Sequence, residues 1–236
     1  MARFLLIHGA SHGAWCWDAL RAALVARGHE ATAIDLPAHG DDSTPPAEAT
    51  LDRYVAAILA ALSEPAIVVA HSMAGVPATA AADRAPDRVA RLVYLCAYLP
   101  GDGASVGSLV QAQATQPLRA AIRRGADRDS FTFAPELAPE LFYNGCPPDT
   151  VARALDRLTP EPVVAQATPV SLGGDIAEVP RSYILCTEDH AIPPEDQRRM
   201  ASALPPGDVH ERPWSHSPFF SAPEALADLL GDIAAG

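Results

Sequence analysis

The 236-residue sequence predicts one α/β domain: a mostly parallel central sheet of about six strands with helices on both faces. Three observations predict it. Short apolar runs alternate with segments of helical spacing through the first half of the chain. The runs are apolar at consecutive positions, as in strands buried on both faces. After an interruption, the same strand–helix rhythm returns near the C-terminus.

Residues 4–7 read as a short buried strand, followed over 8–14 by a loop of Gly and small residues. Residues 15–27 have helical spacing and stop at Gly28, a suitable helix-ending glycine. Residues 31–34 give a second strand, and a Pro- and Asp-rich loop covers 37–49. Leu51, Tyr54, Val55, Ile58, Leu59 and Leu62 then share one helical face, with Thr50 placed as cap. Residues 66–70 form a continuous apolar run, 75–84 a helix and 91–96 another strand. From about 100 to 180 the rhythm breaks into Pro, Gly and Gln with short helical pieces such as 151–158. This stretch is predicted to be a small helical cap inserted in the domain. Strand 183–186, helix 194–204, strand 209–212 and a helix from 222 to about 234 complete the chain.

Composition narrows the chemistry. All 17 basic residues are Arg, which excludes lysine Schiff bases and lysine-dependent phosphate loops. A net charge of -12, with no basic cluster denser than Arg123–Arg124 or Arg198–Arg199, argues against nucleic acid and anionic membrane as partners. Four scattered cysteines form neither a zinc motif nor a disulfide framework, so no metal or other cofactor is expected. The N-terminal apolar run is too short for a signal peptide, and no stretch approaches the roughly 18 apolar residues of a membrane span. A cytoplasmic protein is expected. The oligomeric state is left open, a homodimer included.

The segment A-I-V-V-A-H-S-M-A-G, residues 66–75, carries the chemistry. A buried strand runs directly into Ser72 and a helix starts at once, the context of a nucleophile elbow. Ala70 and Ala74 stand where the usual pattern has Gly. Met73 and Ala10, the latter in the Gly-containing loop after the first strand, are the candidate backbone donors of an oxyanion hole. Among eight histidines, His216 in W-S-H-S-P best suits a late catalytic loop. His210 falls within a strand, His190 reads as surface, and His71 should point elsewhere on the turn. Asp189 follows the strand at 183–186; Glu188 and Asp102 are weaker alternatives.

These segments together resemble the plant methylesterase and hydroxynitrile lyase family of α/β-hydrolases. The resemblance rests on L-L-I-H-G-A-S-H-G-A-W-C-W, A-H-S-M-A-G, L-F-Y-N-G-C-P-P, Y-I-L-C-T-E-D-H-A-I-P-P and W-S-H-S-P-F, in order along the chain. It implies Ser72, Asp189 and His216 as a catalytic triad and Ala10 with Met73 as the oxyanion hole. Lyases of the family have Thr where this chain has Gly9, and Lys after the catalytic histidine; here Ser217 follows His216. The expected function is hydrolysis of small carboxylic esters, methyl esters among them, through an acyl-enzyme. Cyanohydrin or other carbon–carbon cleavage on the same triad, and a non-catalytic binding protein, are the alternatives. His12, Phe131, Phe142 and Trp214 are candidate substrate contacts, with Phe133 and Tyr143 as further aromatic candidates.

Overall fold

The computed structural model describes residues 1–126 and 128–236. The apolar runs become strands β1 (Arg3–Ile7), β2 (Glu30–Ile34), β3 (Ala66–His71) and β4 (Val89–Leu95). Three short strands follow, β5 (Ile122–Arg124), β6 (Ser130–Phe133) and β7 (Glu161–Pro162), and then β8 (Arg181–Cys186) and β9 (Val209–Arg212). The main sheet has six strands in the order β2-β1-β3-β4-β8-β9, parallel at every pairing. Between β1 and β3 the direction of strand addition reverses. The loops leaving these two strands diverge there and open a crevice at their carboxyl ends.

Side chains alternate between two cores, as the pleat requires. Leu5, Ile7, Val68, Ala70 and Tyr94 face one; Phe4, Leu6, Val69, Val93 and Leu95 face the other. Helices α1 (Asp18–Ala26), α2 (Leu51–Ala61) and α3 (Gly75–Arg84) come from the first half of the chain. The Thr50 hydroxyl caps α2 by accepting the Arg53 N–H, as its position predicts. Next come α4 (Val106–Gln111), α5 (Ala138–Phe142), α6 (Pro148–Leu155), α7 (Val163–Ala167), α8 (Pro194–Ala201), α9 (Pro218–Ser221) and α10 (Pro223–Ala235). α2, α3 and α8 cover the first core, α1 and α10 the second.

Two elements differ from expectation. The helix over 15–27 begins as a tight turn, Ala14–Trp17, because Asp35 accepts the Ala14 N–H at 2.6 Å and holds the start in place. The helical piece expected at 151–158 spans Pro148–Leu155, since proline is well suited to a first helical turn.

Residues 96–180, here termed the cap segment, lie between the neighbouring strands β4 and β8. Besides short helices they form an antiparallel sheet, β5-β6-β7, which the sequence did not signal. These strands are only two to four residues long; β5 is exposed throughout, and the S-F-T-F alternation of β6 covers too few positions to mark a strand. Asp83 on α3 anchors the end of the segment by accepting the N–H groups of Gly173, Gly174 and Ile176.

At the start of α3, Gly75 packs directly on the strand β4 exit. A Cβ there would run into the Tyr98 carbonyl oxygen, a backbone atom that has no rotamer to yield. Gly75→Ala is therefore expected to cost about 1–3 kcal/mol of stability by overpacking, measured by urea unfolding. An unchanged midpoint would show that the elbow relaxes freely.

Candidate active site

β3 ends at His71, and the chain passes through Ser72 straight into the turn that starts α3. Ser72 has φ 55°, the left-handed region that a non-glycine residue adopts only under constraint. The constraint is visible: Ser72 O accepts the Tyr98 N–H at 3.0 Å, and Ala70 and Ala74 are fully buried on either side. This sets the hydroxyl in the floor of the crevice.

His216 Nε2 lies 3.1 Å from Ser72 Oγ, and His216 Nδ1 lies 2.8 Å from Asp189 Oδ2. Asp189, beyond the end of β8, is itself held by donors only. Its Oδ1 accepts the N–H groups of Ala191 and Ile192 at 2.7 and 2.9 Å, and its Oδ2 accepts Gln197 Nε2 at 2.9 Å. The carboxylate thus has a proton to accept from His216 Nδ1, leaving the Nε2 lone pair toward Ser72. Such a chain can take the hydroxyl proton as the oxygen attacks an electrophile.

The imidazole is fixed from below as well. His71 Nε2 donates to the His216 carbonyl oxygen at 2.9 Å, and Cys96 Sγ reaches the same oxygen at 3.4 Å. His71 was expected to point away from the chemistry; instead its ring packs beneath His216, with centroids 4.6 Å apart. Burial pushes its pKa well below the usual value, so it stays a neutral donor. Gly9 makes this packing feasible, because a Cβ there would meet His71 Nδ1 at 2.7 Å and Ser72 Cβ at 2.9 Å.

Ala10 and Met73 both line the crevice beside Ser72. Among the described residues, neither N–H donates to another protein group. His12 also lines it, but both of its nitrogens are engaged: Nδ1 with the Ala10 carbonyl at 2.8 Å and Nε2 with the Tyr143 hydroxyl at 2.9 Å. Burial lowers its pKa to about 4, so a neutral ring bonds Ala10 and stacks on Trp15.

The crevice measures about 410 Å³. Phe131, Phe133 and Phe142 wall it, with Val106, Val110 and Leu118 from the cap segment. The Gln111, Gln116 and Gln166 side chains and Arg119 reach its edge. These residues had no sequence signal, because they meet Ser72 only through the path of the cap.

Trp214 is a correction. It lines a separate surface hollow with Asn144, Gly145 and Glu188, and packs on the second core. The tight turn that closes Trp214 N–H onto Arg212 O at 2.8 Å carries the indole outward, while His216 turns in. The alternative acids lie elsewhere: Asp102 accepts the Leu172 N–H, and Glu188 is exposed. Among the other histidines, His190 pairs with Glu140 on the surface, and His210 sits in β9.

His71, Cys96 and His216 bring ligand-type atoms within 4.8 Å of one another. Three of the four histidine nitrogens already face hydrogen-bond partners, so the cluster belongs to the packing of the site. No helix among the described residues is long and apolar enough to cross a membrane.

An elbow serine at a parallel-sheet switch point, with an acid after β8 and a histidine after β9, defines a fold class as well as a site. Residues 4–229 match the model of the alpha/beta hydrolase family, and the chain belongs to that family. Methylesterase 7 of Arabidopsis thaliana is 36% identical over 98% of this chain and 96% of its own length. Among solved structures, a methylesterase from Arabidopsis superposes with TM-score 0.85 at 26% identity, covering 100% of this chain and 99% of that one. A pyrethroid hydrolase from Sphingobium faniae superposes with TM-score 0.86 at 29% identity, covering 100% and 98%.

Proposed function

We propose that this chain is a serine-dependent esterase acting on small carboxylic esters. The observation that carries the reading is the Ser72–His216–Asp189 relay, at 3.1 and 2.8 Å, on the floor of an apolar crevice. In this reading Ser72 attacks the ester carbonyl while His216 takes its proton, and Asp189 stabilises the imidazolium. The Ala10 and Met73 N–H groups receive the oxyanion. The tetrahedral intermediate collapses, the alcohol leaves with the proton from His216, and an acyl-Ser72 remains. Water, activated by the same histidine, then releases the acid.

The relatives named as methylesterases support methyl esters as substrates, and the crevice volume falls within the roughly 300–1,000 Å³ of small-molecule sites. The cyanohydrin-cleaving alternative is disfavoured at Gly9, where the packing against His71 and Ser72 leaves no room for the threonine of that branch. We place residues from about 100 to 180, the bulk of the cap segment, as an insertion in a single domain that sets acyl preference. We also place the enzyme in the cytoplasm, in keeping with four free thiols.

The test is hydrolysis of a short-chain p-nitrophenyl ester before and after a serine-directed sulfonyl fluoride, with the adduct mapped by mass. Loss of turnover with one adduct on Ser72 is the expected result. Turnover that survives labelling, or an adduct elsewhere, removes the assignment. Within the pocket, Phe131→Ala is expected to shift kcat/KM by about tenfold toward the longer acyl chain, a change worth a methylene or two. Comparing p-nitrophenyl acetate, butyrate and octanoate reads it, and an unaltered profile takes Phe131 out of the acyl site.

A further inference from the structure

Ser11 stands next to the proposed oxyanion donor Ala10, and its backbone has φ 61°. A non-glycine residue keeps that conformation only where its surroundings impose it. Both of its backbone polar groups are held by the cap segment. The Ser11 N–H donates to Glu161 Oε2 at 2.7 Å, and its carbonyl accepts the Thr159 N–H at 2.9 Å.

Glu161, on β7, is itself the centre of a sealed network. His39 Nε2 lies 2.9 Å from the same Glu161 Oε2, and both side chains are 0% exposed. Gln166, which lines the crevice, donates to Glu161 Oε1 at 2.6 Å. The other nitrogen of His39, Nδ1, lies 3.0 Å from the Pro37 carbonyl oxygen. A carboxylate accepts, so Nε2 donates to it, and Nδ1 faces both the Pro37 carbonyl and, at 3.5 Å, the Tyr54 hydroxyl. A buried ion pair is a poor stabiliser, since desolvation offsets most of its attraction. Its use here lies in what it holds.

We infer that Glu161, braced by His39, is a positioning residue that ties the cap segment to the loop after β1 and thereby aims the Ala10 N–H at the oxyanion. The inference rests on the serine-esterase reading and extends it: the oxyanion hole is complete only when the cap is seated. Glu161 touches no reacting atom. It acts through Ser11, one residue from the donor, and through Gln166 at the crevice wall.

The surroundings of the pair favour its charged form. Burial disfavours the charged ring, but the Glu161 carboxylate and the bonds to Glu161 and Pro37 outweigh it and raise the His39 pKa. The groups facing the pair are His8, His12, Tyr54, Asp35 and Asp42. Burial keeps His8 and His12 neutral and pushes Tyr54 up; hydrogen bonds from Thr44 and Ala38 hold Asp42 down against its own burial. As pH rises through the His39 pKa, the ring gives up its Nδ1 proton, which faces the Pro37 carbonyl and the Tyr54 hydroxyl, and keeps its Nε2 proton on the carboxylate. The brace then becomes a hydrogen bond from a neutral ring, and the Glu161 bond to Ser11 is kept.

The test is Glu161→Gln in the full chain, with active sites counted by sulfonyl fluoride labelling of Ser72. The amide removes the charge at nearly constant shape. Per labelled site, kcat for p-nitrophenyl acetate is expected to fall about 100-fold, the scale of a misplaced catalytic group, with KM within about threefold. Affinity for a trifluoromethyl ketone, which forms a tetrahedral adduct on serine, should fall by the same factor. A lower Tm with unchanged kcat per labelled site would overturn the inference and leave Glu161 a structural residue. If the variant does not fold, Glu161→Asp, which keeps the charge but shortens the reach, decides. A fall in kcat per labelled site and in ketone affinity together, at level KM, supports the inference, and no change in either overturns it. A wild type that neither turns over nor labels at Ser72 brings down the esterase reading itself, an outcome distinct from the other two.

Discussion

Ser72→Ala is expected to lower turnover of a p-nitrophenyl ester by about 10⁶-fold, the scale seen when a triad serine is removed. The reason is local. His216 Nε2 faces Ser72 Oγ at 3.1 Å, and no other hydroxyl meets it among the described residues. Removing the oxygen deletes the nucleophile and the proton that this base takes in the first step. The fold should tolerate the change to within about 1 kcal/mol, since one hydrogen bond is lost and the methyl fits the same turn. Matched urea curves and esterase assays separate the two effects. A variant that keeps wild-type turnover would end the covalent mechanism and bring the binding-protein alternative forward.

Asp189→Asn is the second large effect, about 10⁴-fold in kcat, and it follows from the donors around the carboxylate. Oδ1 faces the N–H groups of Ala191 and Ile192, while Oδ2 faces Gln197 Nε2 and His216 Nδ1. An asparagine has one NH₂ to place. Set toward Ala191 and Ile192, it opposes two backbone donors. Set at the Oδ2 position, it opposes Gln197 and donates to His216 Nδ1. That last bond puts the histidine proton on Nε2, where it faces the serine and cannot accept. Activity should recover in part at high pH if the tautomer is the cause, because hydroxide can then do the work of the base. Full activity in Asp189→Asn would leave the carboxylate a purely structural anchor.

The order of the main elements was legible because their apolar runs carry their own signal. A run such as A-I-V-V-A, buried on both faces, reads the same in sequence as in the sheet. Helix α2 was legible for a similar reason, with five of its face residues at regular spacing and a threonine at its cap. The short strands of the cap segment were not, because β5 is exposed and β7 spans only Glu161–Pro162. Trp214 was misplaced by nearness in sequence to His216, although a single turn sends the two side chains apart.

The candidate site divides along the same line. Ser72, Asp189 and His216 each sit just beyond the end of a strand, so local pattern and chain order were enough to select them. Gln197, His71, His39 and Glu161 act across separations that leave no local trace. Glu161 meets Ser11 across 150 positions and His39 across 122. What the sequence alone determined is the α/β layering, the strand-to-helix turn at Ser72 and the choice of the three groups proposed as the relay, since periodicity and short-range motifs encode them. What only the tertiary structure decided is the support: which donors hold Asp189, which rings lie under His216, and which buried ion pair grips the oxyanion loop. Those contacts depend on where the cap segment lands on the sheet, and that placement results from packing the whole chain at once.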